Sequence, residues 1–172
     1  ELIDEGLEQD QIAEITDIIV AVPGVVAMHH LRSRKMAEQI LIDVHIQVDP
    51  YLSASEGHYI GECVSDAICQ FQPNMQDITV HIDVERDPDE PERGSLPLSR
   101  AMLYAKMLPV FTKFAVDAQK VEWQIFYIDN AVHLFITLPK SMTKAKAKEL
   151  QQAMLGQSSE IQSVKIACQM VA

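Results

Sequence analysis

The sequence predicts an α+β protein, a ferredoxin-like αββαβ sandwich followed by a second, similar αββαβ module. Apolar residues recur at helical spacing in some segments and at every second position in others, which predicts helices and half-buried strands. These segments follow one another in the order helix, strand, strand, helix, strand, and the order occurs twice. One layer of helices on one face of a small antiparallel sheet is the economical way to bury the apolar sides of such elements.

The first module begins with a helix and two strands. Apolar residues at helical spacing predict the helix over residues 9–21, and Pro23-Gly24 ends the pattern. The strands are predicted at about 25–33 and 39–48. In the second strand every other residue is apolar, which predicts one buried side made of Ile40, Ile42, Val44, Ile46 and Val48.

A helix and a third strand complete the first module. Ser53 followed by Glu56 is a capping-box pattern, and the helix that it opens ends before Pro73. The third strand is predicted over residues 78–85, "ITVHIDVE". We expect its apolar side to face the core with Ile78, Val80, Ile82 and Val84.

The second module repeats the order of elements. Between the modules lies "RDPDEPERGSLP", a charged segment with three prolines that is typical of a linker. We therefore expect a first domain over residues 1–86, a linker over 87–97 and a second module over 98–172. Its elements are predicted as a helix over 98–117, strands at 121–129 and 131–138 joined by a tight turn at Asp129-Asn130, a helix over 143–155 and a strand over 161–171.

Composition narrows the classes of partner and compartment. The formal charge of −11, with a pI near 4.8, argues against nucleic acid or an anionic membrane as a partner and favours cations. Three cysteines without a CxxC motif are typical of a reducing compartment. No apolar run approaches the roughly 20 residues that span a bilayer, so we expect this piece to be soluble. The chain starts with Glu1 rather than Met, which is typical of a piece of a longer protein.

Potential metal ligands gather in the first module, which holds five of the six histidines. His45, His81 and Asp83 lie on the polar sides of two predicted strands, and neighbouring strands are about 4.8 Å apart, so these side chains can converge on one ion. His29 or His30 could supply another ligand from the first strand. Imidazole and carboxylate without thiolate suit zinc, and also iron(II), cobalt(II), nickel(II) or manganese(II).

Geometry also sets limits on this interpretation. A single histidine on a strand is more often a surface residue than a ligand, so a solvated polar face is the alternative. His58, in the first turn of the second helix, fits least well, because that helix must cover the opposite, apolar side of the sheet. It can join a metal site only near the end of the helix or across a contact between two copies.

Three stretches resemble the cytoplasmic C-terminal domain of the cation diffusion facilitator (CDF) transporters, which are divalent-cation/proton antiporters. They are "VPGVVAMHHLRSR", "ILIDVHIQVDPYLSASEGHYIGECV" and "DITVHIDVE". "LIDEGLEQDQIAEI" also resembles the segment after that family's last membrane helix, so the resemblance covers residues 2 to about 85. It implies that the cytoplasmic metal ligands of the zinc- and iron-transporting members correspond to His29, His45, His58, His81 and Asp83.

The resemblance also implies roles for individual residues. Asp83 would bridge two ions, whereas Arg32 and Arg34 match the strand motif and would be structural, pairing with acids. His30 stands where relatives often carry an acid, and we favour a surface role for it over a role as a ligand or as a partner that hydrogen-bonds to a ligand. The resemblance does not cover the second module. The candidate ligands there are Asp129, His133 and Cys168, but packed or surface roles are favoured for them. The aromatic residues of this module are expected in the core or in a contact surface; they are Trp123, Phe126, Tyr127 and Phe135.

The function implied by the resemblance is regulatory. The chain would be the cytosolic domain of a divalent-cation efflux transporter that binds zinc, or iron(II), cobalt(II), nickel(II), manganese(II) or cadmium(II), and forms a homodimer that controls transport. It would be covalently continuous with a transmembrane transport domain at the cytoplasmic face of the inner membrane. A metal-independent dimerisation scaffold is the alternative. A metallohydrolase using His81 and Asp83 is disfavoured, since the sequence shows no general-base or nucleophile motif and no glycine-rich phosphate loop, so we do not expect an enzyme.

Overall fold

A computed structural model describes residues 6–36, 39–85, 96–140 and 142–169. The chain divides into two compact units, residues 1–92 and 93–172. In each unit the described elements follow the order αββαβ and contain one three-stranded sheet, as predicted. Most of the predicted linker, residues 87–97, lies outside the described ranges. No helix in those ranges is long and apolar enough to cross a membrane.

The elements of the first unit lie close to their predicted positions. They are α1 (Gln9–Val20), β1 (Ala27–Met36), β2 (Gln39–Gln47), α2 (Ala54–Phe71) and β3 (Met75–Asp83). The hydroxyl of Ser53 accepts a hydrogen bond from the backbone N–H of Glu56 at 3.1 Å, so Ser53 caps α2 as the sequence predicts. Glu8 caps α1 through a reciprocal capping box with Gln11.

The central strand β2 organises the first unit. Its residues alternate between buried and half-buried, because one side of the sheet packs on helices α1 and α2. The apolar side chains that the period-2 pattern places inward are buried, as predicted. With those of the helices they form a core of Ile15, Ile19, Ile40, Ile42, Val44, Ile46, Val48, Ile60, Val64, Ile68 and Met75. The polar side of β2 is therefore directed away from the helices.

The prediction of an antiparallel sheet is wrong for one of the two strand pairs of the first unit. β1 and β2 are antiparallel, but β2 and β3 pair in parallel. The 18 residues of α2 carry the chain back along the sheet, so that β3 starts at the same edge as β2. In the ferredoxin-like order β-α-β-β-α-β a further strand can separate such a parallel pair. That strand is absent from the αββαβ order, so β2 and β3 are direct neighbours.

The apolar side of β3 is less buried than predicted. Ile78 and Val80 pack against the core, but Ile82 and Val84 are 37% and 39% exposed. The reason is that β3 is an edge strand that ends at Asp83, so these residues have a neighbouring strand on one side only.

The second unit repeats the topology with its own core. Its elements are α3 (Arg100–Lys113), a short 3-10 turn (Ala118–Lys120), β4 (Glu122–Ile128), β5 (Ala131–Leu138), α4 (Lys144–Leu155) and β6 (Ile161–Cys168). The predicted turn at Asp129-Asn130 is confirmed, and both residues have the positive φ of a type I′ hairpin. Helix α3 ends four residues before the predicted residue 117, because Ala115 adopts a φ of 54°.

Gly24, between α1 and β1, is expected to tolerate no side chain. Its φ is +97°, and a Cβ atom there would lie 2.6 Å from Cδ1 of the buried Ile60. We expect Gly24→Ala to lower the free energy of unfolding of the first unit by about 2 kcal/mol or more, from backbone strain and overpacking. Hydrogen exchange of the β2 amides measures this loss.

Gly57 provides the matched control within the same core. A Cβ at Gly57 would meet Cγ2 of Ile82 at 3.4 Å, an ordinary contact, and Gly57 lies inside α2. Because glycine costs a helix about 1 kcal/mol relative to alanine, Gly57→Ala should leave the stability unchanged or raise it. Equal protection in both variants would contradict the prediction for Gly24.

Candidate metal centre

Three histidines form one row across the sheet of the first unit. His29 of β1 lies opposite His45 of β2, and His45 lies opposite His81 of β3. The row occupies the polar side of the sheet, away from α1 and α2. Because paired positions on neighbouring strands are about 5 Å apart, register alone brings the three imidazoles together. The His45 and His81 rings stack, with centroids 4.3 Å apart and an interplanar angle of 17°.

A β-bulge at His30 makes this row possible. The register shifts between His29 and Leu31, and His30 has a φ of 53°. The extra residue directs His29 to the polar side and Leu31 to the core, although two residues on a regular strand would share a side. A left-handed conformation costs a residue other than glycine about 1 kcal/mol, which the surrounding sheet must offset. His30 is itself exposed, as favoured, with its ring centroid 5.7 Å from that of His29 and 5.9 Å from that of His45.

Asp83 joins two members of the row through one carboxylate oxygen. Its Oδ2 atom lies 2.9 Å from Nδ1 of His45 and 3.2 Å from Nε2 of His29. The side chains of His29, His45 and Asp83 are 12%, 25% and 25% exposed, so solvent screens the group only in part. Bonds of 2.0–2.1 Å in a tetrahedral zinc site place ligand atoms about 3.3 Å apart. The three donors therefore fit a small divalent cation with little movement.

Asp43 lies on the other side of the histidine row. Its Oδ1 atom is 2.8 Å from Nε2 of His81, and the two side chains are 45% and 46% exposed. Asp43, His45 and His81 form a second group whose potential ligand atoms lie within 4.8 Å of one another. His81 therefore approaches Asp43 rather than Asp83. Asp43 is not among the ligands that the sequence analysis predicts, although period-2 alternation places it on the same side of β2 as His45.

His58 does not join either group within one chain. It is exposed in the first turns of α2, the helix that packs on the apolar side of the sheet. Of the five predicted ligands, the structure brings together His29, His45 and Asp83, with His81 beside His45. The sequence analysis predicted that His58 lies on the helical side of the sheet, and within one chain it does. Only a second copy of the chain could bring a His58 side chain to the site.

The second unit keeps the scaffold but not the ligands. Both sheets have a register shift near the start of the parallel pair, at Ile40 in β2 and at Val132 in β5. Counted from that point, the positions of His29, His45 and His81 are taken by Glu122, Thr137 and Ala167. His29 lies two residues before Leu31 because the bulge inserts His30, whereas Glu122 directly precedes Trp123 in the regular strand β4. Within the described residues of this unit, no group of three potential ligands includes the candidates Asp129, His133 and Cys168.

The aromatic residues that the sequence analysis expected in the core or in a contact surface lie on both sides of the sheet of the second unit. Trp123 packs against the core, with its ring centroid 5.5 Å from that of Phe111. Phe126 and Phe135 pair on the opposite side at 5.0 Å, and the ammonium group of Lys165 lies 4.4 Å from the Phe135 ring centroid. The hydroxyl of Tyr127 donates a hydrogen bond to the carbonyl of Leu98.

The fold and the donor set of the first unit define the class of protein: an α+β domain with a histidine and aspartate cluster suited to divalent cations. Residues 7–85 match the family described as "Cation efflux protein, cytoplasmic domain". The predicted resemblance is thereby confirmed. The family is one of transporter domains rather than of enzymes.

Curated relatives match the same half of the chain. Metal tolerance protein C1 of Arabidopsis thaliana is 37% identical over 83 residues, which are 48% of this chain and 18% of the relative. The cation-efflux pump FieF of Yersinia pestis is 30% identical over 82 residues, 48% of this chain and 27% of the pump. The chain thus spans about a quarter or less of the length of these relatives. A solved nickel form of a MamM CTD variant is 26% identical with a TM-score of 0.44, covering 46% of this chain and 100% of that one.

Proposed function

We propose that this chain is the cytosolic regulatory part of a divalent-cation efflux transporter, a cation/proton antiporter, which binds zinc or a similar metal and dimerises to control transport. The observation that carries the proposal is the histidine row, with one carboxylate oxygen of Asp83 within 3.2 Å of two of its imidazoles. The match of residues 7–85 to the cytoplasmic domain of cation efflux proteins supports it. The full-length protein would add a transmembrane domain at the cytoplasmic face of the inner membrane.

The donors determine which cations fit. Imidazole nitrogen and carboxylate oxygen accept zinc, iron(II), cobalt(II), nickel(II), manganese(II) and cadmium(II), and His29, His45 and Asp83 would hold the ion. A bound cation would replace the contacts that these groups now make with one another. Because the groups belong to all three strands, binding would also fix the register of the sheet.

Dimerisation would bring in the remaining predicted ligand. We propose that His58 of a second copy completes the site, since within one chain His58 is exposed and lies on the helical side. Each chain carries a formal charge of −11, so two copies of −11 bring −22 together. Bound divalent cations would offset part of the resulting repulsion. The cation would therefore favour the closed dimer by as much as its affinity differs between the closed and open forms.

Zinc titration by calorimetry, combined with light scattering of the same samples, tests the proposal. We expect zinc to bind the wild-type chain and to shift it toward a tighter dimer. His58→Ala should reduce the zinc-dependent shift about 10-fold, because one ligand supplied by the second copy is lost. His133→Ala is the matched control, since it removes the histidine of the second unit, which contacts Ser163.

The alternative of a metal-independent dimerisation scaffold gives a different result. It is favoured by the ion-pair distances of 2.9 Å and 2.8 Å in the pairs His45–Asp83 and His81–Asp43, which can link β2 to β3 without a metal. A dimer that forms equally with zinc and with a chelator, and that binds zinc no better than the His58→Ala variant, would support the scaffold and exclude the sensor.

A further inference from the structure

We propose that the second unit carries a basic surface that docks onto a membrane of anionic phospholipids. The surface is the lysine cluster, which consists of Lys113, Lys120, Lys140, Lys146 and Lys148. This docking goes beyond the proposed function and rests on it in one respect, because the transmembrane domain of the full-length protein would hold the second unit close to a lipid surface.

The charge of the chain is divided unequally between its two units. Residues 1–92 contain 4 basic and 20 acidic side chains, a formal charge of −16. Residues 93–172 contain 10 basic and 5 acidic side chains, a formal charge of +5. The charge of −11, which argues against an anionic membrane for the chain as a whole, therefore does not describe the second unit. Because charges more than about 8 Å apart are largely screened at physiological salt, an exposed surface acts mainly through its own charges.

The fold gathers lysines that are far apart in the sequence. Two adjoining grooves lie where α3 ends and α4 begins, and both are lined by Lys146. Lys113 and Lys148 also line the first groove, and Lys120 and Lys140 line the second. All five lysines are exposed. One end of the second unit therefore presents five ammonium groups to solvent.

The lysine cluster keeps a net positive charge. Two acids line the same grooves: Glu149, and Asp117, whose carboxylate lies 3.3 Å from the ammonium group of Lys120. Five lysines and two acids leave a formal charge of +3. The N-terminus of α4 has no acid in its first turn, so the partial positive charge of the helix dipole adds to that of the lysines.

The lysines of α4 lie at the end of the helix that disfavours them. A cation is stabilising near the C-terminus of a helix and destabilising near the N-terminus, because of the direction of the helix dipole. Lys144 and Lys146 nevertheless occupy the first turn, where the hydroxyl of Thr143 accepts a hydrogen bond from the backbone N–H of Lys146. Such a departure from the local rule is expected where a surface serves function rather than stability.

Shape and chemistry favour phospholipid headgroups over nucleic acid. The groove lined by Lys120, Lys140 and Lys146 has a volume of about 300 Å³, the lower end of the range for small-molecule sites, so a single headgroup fits. Single-stranded nucleic acid is usually bound by stacking its bases on aromatic rings, but Phe114, the aromatic residue that lines both grooves, is buried in the core. Clusters of about four to eight lysines or arginines near a membrane are typical of proteins that bind its anionic lipids.

Lys146→Glu tests the inference, because it reverses the charge at the residue that both grooves share. A glutamate at this position would complete a capping box with Thr143, so a loss of binding cannot be attributed to unfolding of α4. Lys165→Glu is the matched control and changes the net charge by the same amount. Lys165 lies on β6, where its ammonium group is 4.4 Å from the Phe135 ring centroid on the side of the sheet opposite the helices.

Binding is measured on the full chain with two kinds of vesicle. One contains phosphatidylglycerol and phosphatidylcholine in equal parts and the other phosphatidylcholine alone, and a chelator keeps metal ions from bridging protein and lipid. Trp123 is the single tryptophan of the chain and belongs to the second unit. Energy transfer from Trp123 to a dansyl-labelled lipid therefore reports the approach of this unit to the membrane.

We expect the wild type to bind the anionic vesicles at least about 10-fold more tightly than the neutral ones. Lys146→Glu should weaken this binding about 25-fold, because one lysine near an anionic surface contributes about fivefold and a reversed charge acts twice. Lys165→Glu should stay within about threefold of the wild type. Equal binding of the wild type to both kinds of vesicle, or a loss in Lys146→Glu no greater than in Lys165→Glu, would overturn the membrane surface. Tighter binding to a single-stranded RNA oligonucleotide than to the anionic vesicles would overturn it in favour of nucleic acid.

Zinc titration of the same samples tests the proposed function separately. Zinc binding together with equal affinity for both kinds of vesicle would overturn the membrane surface alone. A preference for the anionic vesicles without any zinc binding would overturn the proposed function instead.

Discussion

Replacing Asp83 with asparagine is expected to lower the zinc affinity of the site formed by His29, His45 and Asp83 by about 100-fold or more. Oδ2 of Asp83 lies within 3.2 Å of ring nitrogens of both His29 and His45, so Asp83 supplies an anionic ligand of that site. An amide oxygen in its place carries no charge to offset the cation. Calorimetric titration of the wild type and of Asp83→Asn measures the difference.

Stability measurements separate this loss from unfolding. Asp83 is 25% exposed and its hydrogen bond to His45 is partly screened, so we expect Asp83→Asn to change the free energy of unfolding without metal by at most about 1 kcal/mol. The difference in stability between the two chains should then appear only when zinc is added. Equal stabilisation of both chains by zinc would contradict the role of Asp83 as a ligand.

Phe111→Ala is expected to destabilise the second unit by about 3–5 kcal/mol while the zinc affinity of the first unit stays unchanged. Phe111 is fully buried in the core of the second unit, and its ring packs edge-to-face on Trp123. Trp123 is the single tryptophan of the chain, so its fluorescence during denaturation reports the unfolding of this unit. Zinc binding is measured on the same variant by calorimetry.

Phe126→Ala provides the control for the loss of a phenyl ring. Phe126 is half-buried on the other side of the same sheet, where it pairs with Phe135, so its removal leaves no closed cavity and should cost clearly less stability. A parallel loss of zinc affinity in Phe111→Ala would show that the two units do not fold independently. That result would contradict the proposed division into a metal-binding domain and a separate second module.

Several features of the fold are predictable from local patterns. The buried side of β2, the serine cap of α2 and the Asp129-Asn130 turn depend on residues close in sequence, and the structure has all three. The pairing of β2 with β3 is different, because an antiparallel and a parallel neighbour present the same period-2 pattern. Only the path of α2 over the sheet decides between them.

The candidate site divides in the same way. Period-2 alternation determined that His45, His81 and Asp83 lie on the polar sides of their strands. The motif resemblance selected His29 over His30 and added His58. The alignment of three histidines in one row depends on strand register and on the bulge at His30. A bulge shifts all following residues to the other side, and nothing in the local pattern predicts a positive φ for a histidine.

The sequence by itself determined the order of elements, the apolar sides and the types of potential ligand in this protein. The tertiary structure alone decided that Asp43 approaches His81 and that Asp83 approaches both His29 and His45. The physical reason is that side-chain periodicity is a local property of the backbone. Which donor atoms meet depends on the register and direction of strands that are far apart in the chain.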